Sequence, residues 1–251
     1  MHPSPVLLGR VEVVAHRGAS ADAPENTLAA VDAAVAQGAD TIETDVQRTV
    51  DGHLVLLHDS GPARTTDART AYPARTVRVG ALTLAELRDL DAGSWFGDVF
   101  AGERVPTLAE LLDRTGGRAG LLLELKDPAR HPGIEAQVAA AVAGRDGVTV
   151  QSFDHAAMRR FTSLAPGVPA GWLFDARPTA GELDAAAGFA AQINVEHHLV
   201  DGDLVRAVTG RGMTAGAWTV NDEPEMRRLA DLGVARVISD RPQVLRGAVG
   251  G

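Results

Sequence analysis

The sequence predicts an α/β fold in which eight parallel strands, alternating with helices, close into a barrel. Short β-branched apolar runs alternate with longer stretches that carry alanine and leucine at helical spacing, the pattern of parallel strands joined by helical crossovers. A chain of 251 residues has the length at which a (β/α)8 barrel forms one domain. An open parallel sheet is the alternative, but its glycine-rich G-x-G-x-x-G turn is missing after the first strand. The barrel is therefore the preferred fold.

The predicted strands are short runs of buried character. They cover 11–15, 40–46, 120–125, 148–151, 169–173, 192–195, 214–218 and 235–238. Most are followed by a predicted helix, and several helices begin at a good N-terminal cap, among them Asp154, Thr179 and Asp222. The helices cover 25–37, 107–114, 133–143, 154–163, 179–189, 201–211 and 222–231.

The segment 59–106 fits no strand–helix unit. It contains GPARTTDARTAYPARTVRVG, a short helical pattern at 83–90 and the stretch DAGSWFGDVFAGERVP. A long irregular stretch inside a barrel is typical of an insertion on one rim. Because no repeat or linker divides the chain, we expect one domain over 1–251 with a small rim insertion at about 59–106.

Composition excludes several kinds of function. The chain has no cysteine, which excludes disulfides, thiolate-bound zinc and cysteine nucleophiles. Its net charge of -9, without a basic run, argues against nucleic acid as a partner. No apolar stretch approaches the roughly 18 residues of a membrane span, and MHPSPVLLGR does not resemble a secretory signal. The expected location is cytoplasmic, and the sequence does not indicate an oligomeric state.

Acidic side chains mark the ends of two predicted strands. Glu43 and Asp45 lie two residues apart in IETDV, so both project to the same side of their strand. Glu124 and Lys126 repeat this spacing in LLLELKD at the end of the next parallel strand. Three carboxylates and a lysine therefore crowd one end of the barrel, where like charges raise one another's pKa.

Two histidines are expected at the same end. His16 follows the first strand, and His58 follows a predicted hairpin. Asp51-Gly52 is typical of a two-residue hairpin turn, which would place Asp45 opposite His58. The carboxyl ends of barrel strands form the active site in this architecture. Because imidazole titrates near neutral pH, the two histidines suggest an acid and a base.

A divalent cation would relieve the repulsion among the three carboxylates. Three carboxylate ligands without a thiolate suit a hard ion, Mg²⁺, Ca²⁺ or Mn²⁺, completed by water and a substrate oxygen. The alternative is structural: Lys126 and nearby arginines would pair with the carboxylates as ion pairs of the barrel rim. That alternative suits any one of the acids alone, whereas the three together favour the metal.

Several short motifs occur in an order that resembles the glycerophosphodiester phosphodiesterase family, of the phospholipase-C-like phosphodiesterase superfamily. They are HRG, PENT, IETDV, DGHLVLLHD, LELK, QSF, WTVN and SDRP, spread over roughly residues 12–246. The resemblance implies a barrel of the triosephosphate isomerase type with an insertion after the hairpin of the second strand. It also implies metal-dependent cleavage of a small glycerophosphodiester to glycerol 3-phosphate and an alcohol.

The resemblance also assigns residues by motif. It implies the metal ligands Glu43, Asp45 and Glu124, the acid–base pair His16 and His58, and the phosphate-binding residues Arg17 and Lys126. In the implied mechanism the glycerol 2-hydroxyl attacks phosphorus, and water opens the resulting cyclic phosphate. Trp218 either presents a flat wall to the glycerol carbons or fills the barrel mouth as core. The second pair, His197 and His198, lies outside the motifs, and the sequence leaves open whether either reaches the site.

Three alternatives remain at this point. A phospholipase-D-like enzyme acting on lysophospholipid or sphingolipid would use a similar site, and it predicts an apolar lip for an acyl chain. A non-catalytic barrel that binds a phosphorylated ligand predicts the loss of a histidine or a metal ligand. A sugar-phosphate isomerase or aldolase leaves the paired acidic strand ends unexplained.

Overall fold

A computed structural model of the chain describes residues 10–73 and 76–250. Within them eight parallel strands close into a barrel in the order β1-β2-β4-β5-β6-β7-β8-β9, and β3 pairs antiparallel with β2. The predicted (β/α)8 barrel is confirmed. The strands are β1 Glu12–Ala15, β2 Thr41–Arg48, β3 Leu54–Leu56, β4 Gly120–Leu125, β5 Val148–Ser152, β6 Ala170–Phe174, β7 Gln192–Glu196, β8 Thr214–Trp218 and β9 Arg236–Ser239.

Helices lie outside the barrel, and their starts follow from local sequence. Thr179, Asp154 and Asp222 each accept a hydrogen bond from a backbone N–H of the first helical turn, as predicted. The helices are α1 Leu28–Ala36, α2 Ala68–Ala71, α3 Leu84–Arg88, α4 Leu108–Thr115, α5 Ile134–Ala141, α6 His155–Leu164, α7 Ala180–Ala186, α8 Gly202–Thr209, α9 Glu223–Asp231 and α10 Pro242–Val249. The sequence did not predict α2 or α10. No helix in these described ranges is long and apolar enough to cross a membrane.

Side chains alternate between two environments along each barrel strand. Ile42 and Val46 of β2 belong to the apolar core between the strands and the helices. The side chains that alternate with these core residues along the strands face the barrel interior, where several are polar. Asn194 Nδ2 of β7 donates to Gln151 Oε1 of β5 at 2.8 Å, and β6 lies between these two strands. Gly216 makes room for them, because a Cβ there would lie 2.2 Å from Asn194 Oδ1. The interior is thus a packed polar layer beneath the strand ends.

The hairpin between β2 and β3 differs from the prediction by one residue. Val46 pairs with Leu56, so Asp45 is opposite Leu57 and not His58. The predicted register is wrong because the loop has three residues, 50–52, closed by the 3.0 Å hydrogen bond from Thr49 N–H to the carbonyl of His53. The last loop residue is a glycine with φ +90°, as three-residue hairpins require.

The segment that follows β3 packs around an apolar cluster of its own. Short helical turns bury Val79, Leu82, Leu87 and Leu90 against Val55 of β3. This cluster is separate from the core of the barrel. The separation supports the interpretation of 59–106 as a rim insertion on a single domain, which stays a prediction.

Candidate active site and metal centre

Three buried carboxylates meet at the carboxyl ends of β2 and β4. Asp45 is aligned with Glu124 across the two strands, and Glu43 precedes Asp45 by two residues on the same face. One ligand oxygen from each side chain lies within 4.8 Å of the others. The residues are 1%, 0% and 8% exposed for Glu43, Asp45 and Glu124, so water screens their mutual repulsion poorly.

Burial and repulsion shift the proton affinities of this cluster. Burial and the neighbouring carboxylates raise the pKa of Glu43 well above its usual range, and burial with Asp45 raises that of Glu124 to about 7. Burial also acts to raise the pKa of Asp45, but Arg17 and Lys126 outweigh it and the pKa is lowered. Burial and repulsion thus favour proton binding by two of the three acids, Glu43 and Glu124.

The donor set fits a hard divalent cation better than a set of ion pairs. Lys126 Nζ lies 2.7 Å from Glu124 Oε1 and 3.7 Å from Asp45 Oδ1, so part of the predicted structural pairing does occur. In the described residues, however, Glu43 forms no direct ion pair: it accepts a hydrogen bond from the backbone N–H of Arg17 at 3.0 Å, and the Arg17 charge only partly offsets burial and repulsion. Three buried oxygen ligands with residual negative charge suit Mg²⁺, Ca²⁺ or Mn²⁺.

The turn after β1 places Arg17 directly over the carboxylates. Arg17 has φ +56° and is followed by Gly18 with φ +82°. Its Nη1 donates to Glu25 at 2.8 Å, and its Nε lies 3.2 Å from Asp45 Oδ2. A Cβ at residue 18 would lie 2.6 Å from the backbone of Ala30 in α1, so the turn needs glycine there. The chain therefore ends its strand in a tight polar turn that presents a guanidinium to the cluster.

Asn26 fixes the orientation of the central carboxylate. Its Nδ2 donates to Asp45 Oδ2 at 2.8 Å, while its Oδ1 accepts from the Asp45 backbone N–H at 3.1 Å. This residue also has a positive φ, +58°, which asparagine tolerates better than most residues. The paired contacts hold Asp45 in one position.

His16 is held through one ring nitrogen by Asp240, which follows β9. The distance between His16 Nδ1 and Asp240 Oδ1 is 2.6 Å. Asp240 also accepts hydrogen bonds from Ser20 Oγ at 2.9 Å and Asn221 Nδ2 at 2.5 Å. Although burial acts to raise it, these bonds lower the pKa of Asp240 to about 2. With Nδ1 engaged, Nε2 is the ring nitrogen left to exchange a proton with substrate.

His58 has the same kind of partner, held by different groups. Its Nδ1 lies 2.7 Å from Oδ1 of Asp59. Arg64 Nε donates to Asp59 Oδ2 at 2.8 Å, and the same guanidinium binds both oxygens of Glu25, at 2.7 and 2.8 Å. Burial lowers the pKa of His58, and the Arg17 cation contributes. The charge of Asp45 acts to raise the pKa of His58, and that of His58 acts to lower the pKa of Asp45.

An open cleft adjoins this arrangement between the ends of β1 and β9. Its volume is about 310 Å³. It is lined by His16, Arg17, Ser20, Ala21, Glu25, Asn221, Asp240 and Arg241. The cleft is large enough for a small polar molecule to reach the nitrogen of His16 that Asp240 leaves free.

Comparison with known proteins identifies the family. The model of the glycerophosphoryl diester phosphodiesterase family matches residues 16–244. The chain belongs to this family. It is 38% identical over 242 residues to a putative glycerophosphodiester phosphodiesterase, YhdW, of Bacillus subtilis, which covers 93% of this chain and 96% of the relative. It is 36% identical over 238 residues to a glycerophosphodiester phosphodiesterase of Caldanaerobacter subterraneus, with coverages of 93% and 95%.

Solved structures agree with the sequence comparison. A phosphodiesterase of Oleispira antarctica in complex with the product sn-glycerol-3-phosphate superposes with a TM-score of 0.86 at 32% identity, over 98% of this chain and 99% of that one. A glycerophosphodiester phosphodiesterase of Agrobacterium tumefaciens gives a TM-score of 0.80 at 32% identity, with coverages of 94% and 99%. The resemblance to this phosphodiesterase family is confirmed, and the buried triad is consistent with a metal site in a member of it.

Trp218, the remaining predicted substrate contact, lies at the mouth of this phosphodiesterase barrel. Its ring packs with the interior residues Val14, Leu122 and Ile238, and its Nε1 donates to the carbonyl of Asn194 at 3.1 Å. The ring also meets Phe153 edge to face, with centroids 5.5 Å apart. The indole is half-buried, so Trp218 packs as core at the barrel mouth, and its contact with the glycerol carbons stays a prediction.

The extra histidine pair is engaged elsewhere on the barrel. His197 Nδ1 lies 2.9 Å from Glu225 Oε1 of α9, and the rings of His197 and His198 are 3.7 Å apart. Within the described ranges, neither forms a hydrogen bond or ion pair with a residue of the carboxylate cluster. The sequence left open whether either histidine reaches the site, and the partner of His197 lies on the outer helix α9.

Several residues of the site were not assigned from the sequence, although the family motifs contain most of them. PENT contains Glu25 and Asn26. Asp59 is the last residue of DGHLVLLHD, and Asp240 is the second residue of SDRP. Their roles depend on side chains distant in sequence, so spacing alone did not show them. Arg64 lies outside the motifs.

Proposed function

We propose that the protein hydrolyses glycerophosphodiesters to glycerol 3-phosphate and an alcohol at the carboxyl ends of its barrel strands. One observation carries the proposal: a buried triad of carboxylates is flanked by two histidines that each engage a carboxylate through Nδ1. Membership of the phosphodiesterase family and the product held by the Oleispira antarctica protein support it. A small glycerophosphodiester is thus the proposed partner, and the cytoplasmic location stays a prediction.

The three carboxylates would hold the divalent cation of this reaction. Glu43, Asp45 and Glu124 supply hard oxygen ligands, and the ion could be Mg²⁺, Ca²⁺ or Mn²⁺. When bound, it would supply positive charge that stabilises the charge developing on the phosphate oxygens. The same charge would allow all three carboxylates to be ionised together.

The two histidines would move the protons. One imidazole takes the proton of the glycerol 2-hydroxyl as that oxygen forms a bond to phosphorus, and the other donates a proton to the alcohol oxygen as its bond to phosphorus breaks. A cyclic phosphate and a free alcohol result. In the second step the histidines exchange roles: water loses a proton as it attacks phosphorus, and the 2-oxygen regains one as the ring opens.

Arg17 and Lys126 would complete the phosphate site. Both carry their charge at the edge of the carboxylate cluster and keep 16% and 17% of the side chain exposed. Fixed positive charge around the phosphate oxygens stabilises the transition state more than the ground state when it is preorganised. Glu25 holds Arg17 in place and limits the reorganisation that binding requires.

The direct test measures glycerol 3-phosphate release from glycerophosphocholine and glycerophosphoethanolamine, before and after metal removal with a chelator. We expect turnover that the chelator abolishes and that added Mg²⁺, Ca²⁺ or Mn²⁺ restores. Full turnover after thorough metal removal would contradict the ligand assignment. Absence of turnover with every ion, in protein that remains folded, would contradict the function.

A lysophospholipase-D-like activity is the second candidate, and an apolar surface on the rim favours it. Phe96 meets both Trp95 and Phe100 edge to face, and Val99 is 89% exposed. They follow Ala92, which lines a small pocket together with His58. Cleavage of lysophosphatidylcholine in preference to glycerophosphocholine would establish this activity, and loss of that preference in Trp95→Ala would assign it to the rim.

A further inference from the structure

A carboxylate at the barrel mouth lacks a protein partner among the residues that the structure describes. Glu196 ends β7, and its side chain forms no hydrogen bond or ion pair with any residue in the described ranges, nor does it cap the turn that it precedes. It is only half-buried, yet it lies at the end of the barrel that holds the candidate active site. A half-buried carboxylate without a protein donor can accept hydrogen bonds from a ligand when it lies at the mouth of a site.

The strand positions place Glu196 across the mouth from the metal centre. β7 is the fourth strand from β2 in either direction around the barrel. Gln192 and Asn194, two and four residues before Glu196, both reach across the interior to side chains of β5. Because side chains alternate along a strand, Glu196 continues this inward-facing series at the open end. Its strand position therefore puts it on the opposite side of the barrel mouth from Asp45 of β2.

An aromatic wall stands beside this carboxylate. Trp218 of β8 is aligned with Glu196 in the β7–β8 register. Its ring meets Phe153 at 88°, and Phe153 is 41% exposed. An acceptor-only carboxylate next to apolar ring surface suits a small polyol, whose hydroxyls donate hydrogen bonds and whose carbons pack on the ring.

We infer that Glu196 is a specificity residue that accepts a hydrogen bond from the terminal hydroxyl of the substrate's glycerol. This inference rests on the proposed function. With the phosphate at the metal centre, the glycerol must lie where its 2-hydroxyl can reach phosphorus, and it is the only organic part common to all glycerophosphodiesters. A rigid group on a barrel strand suits this invariant part, since holding the glycerol also holds the nucleophile near its attack geometry.

The test combines a variant with a substrate analogue. Glycerophosphoethanolamine is compared with the propane-1,2-diol phosphodiester of ethanolamine, which lacks only the terminal hydroxyl and keeps the nucleophile. We expect wild-type kcat/KM to favour the glycerol diester by roughly 10- to 100-fold, the range for a hydrogen bond to a charged group. In Glu196→Ala the preference should fall below about 3-fold, with turnover of the analogue nearly unchanged, whereas Glu196→Gln should retain part of the preference.

Asp146→Asn is the matched control, because it removes one negative charge at an exposed position just before β5, at the opposite end of the barrel. It should keep the wild-type preference. Two outcomes overturn the inference: Glu196→Ala keeps the preference, whether or not kcat/KM falls for both substrates, or it impairs ethanolamine diesters but not glycerophosphoglycerol. The last outcome would assign Glu196 to the leaving alcohol.

A binding experiment separates this inference from the proposed function. Calorimetry compares sn-glycerol 3-phosphate, propane-1,2-diol 1-phosphate and inorganic phosphate on the metal-loaded protein. We expect Glu196→Ala to lose the preference for glycerol 3-phosphate over the diol phosphate while it binds inorganic phosphate as the wild type does. That result would support the inference even if no diester were hydrolysed, and an unchanged preference would overturn it even if turnover were rapid.

Discussion

The carboxylate triad and the two histidine–aspartate pairs both depend on carboxylate side chains, but the surroundings shift the pKa of those carboxylates in opposite directions. In the triad, burial and mutual repulsion raise the pKa of Glu43 and bring that of Glu124 to about 7. In the pairs, hydrogen-bond donors lower the pKa of Asp59 and of Asp240 to about 2. The two aspartates are therefore charged at neutral pH without help, whereas full ionisation of the triad would be favoured by an added cation. The histidines are preorganised, whereas the triad would be completed by a divalent cation.

The two pairs also differ from each other. Asp240 is held by the neutral donors Ser20 and Asn221, while Asp59 shares its charge with Arg64. His16 thus faces a carboxylate with no other cationic partner among the described residues, and the partner of His58 is largely neutralised. The position of His16 depends on contacts between distant parts of the chain, whereas His58 is held by the next residue.

The largest loss of kcat is expected from breaking the histidine–aspartate pairs. His16→Ala and His58→Ala each remove one proton-transfer group and should lower kcat by at least ~10²-fold. Metal affinity, measured by calorimetry, should stay within a few-fold of wild type in both variants because the triad is intact. Near-normal rates in both variants would mean that the chemistry lies elsewhere.

A somewhat smaller effect is expected from altering the carboxylate behind His16. Asp240→Asn keeps the shape but can donate to Nδ1, which favours the wrong tautomer of His16, and kcat should fall by about 10²-fold with KM little changed. Ser20→Ala removes only one neutral donor to Asp240 and should cost less than about 10-fold in kcat. Equal losses in the two variants would contradict a role for the charge of Asp240.

Breaking the triad tests the other region. Glu124→Gln removes one negative ligand and should weaken divalent-metal affinity by at least ~10-fold in a calorimetric titration. The exposed Asp146→Asn, at the far end of the barrel, should leave the affinity unchanged. An unaltered metal affinity in Glu124→Gln would contradict the assignment of that residue.

The sequence predicted the barrel well because its strands are parallel and buried. Such strands appear as short apolar runs, and β4 was predicted with its observed bounds, 120–125. The hairpin register was not predictable from Asp51-Gly52 alone, since the same two residues also close a three-residue loop. The final helix α10 was missed, although Pro242 at its first turn is a typical start signal.

The site was predictable to the extent that strand alternation determines it. Alternation placed Glu43, Asp45 and Glu124 together, and the structure agrees. It could not show that Asp240, 224 residues from His16 along the chain, engages that ring. Nor could it reveal that Glu196 lacks a partner within residues 10–73 and 76–250, because that property depends on every neighbouring element.

The smallest expected effect distinguishes the two regions by their response to pH. Glu124 has a folded-state pKa of about 7, above its ordinary value of 4.5, so the native state holds a proton there that the unfolded chain releases. The contribution of Glu124 to the free energy of unfolding of the metal-free protein should therefore be greatest below about pH 4.5. It should fall as pH rises through 7, by at most about 1.4 kcal/mol for each unit by which the folded-state pKa exceeds the unfolded one. Asp240 acts oppositely, but its contribution is lost only as pH falls toward 2.

Urea unfolding between pH 5 and 8 should thus show declining stability without metal, and a divalent cation should remove the decline because it favours the ionised triad. A metal-free protein whose stability rises over this interval would show that the triad is already neutralised by Arg17 and Lys126.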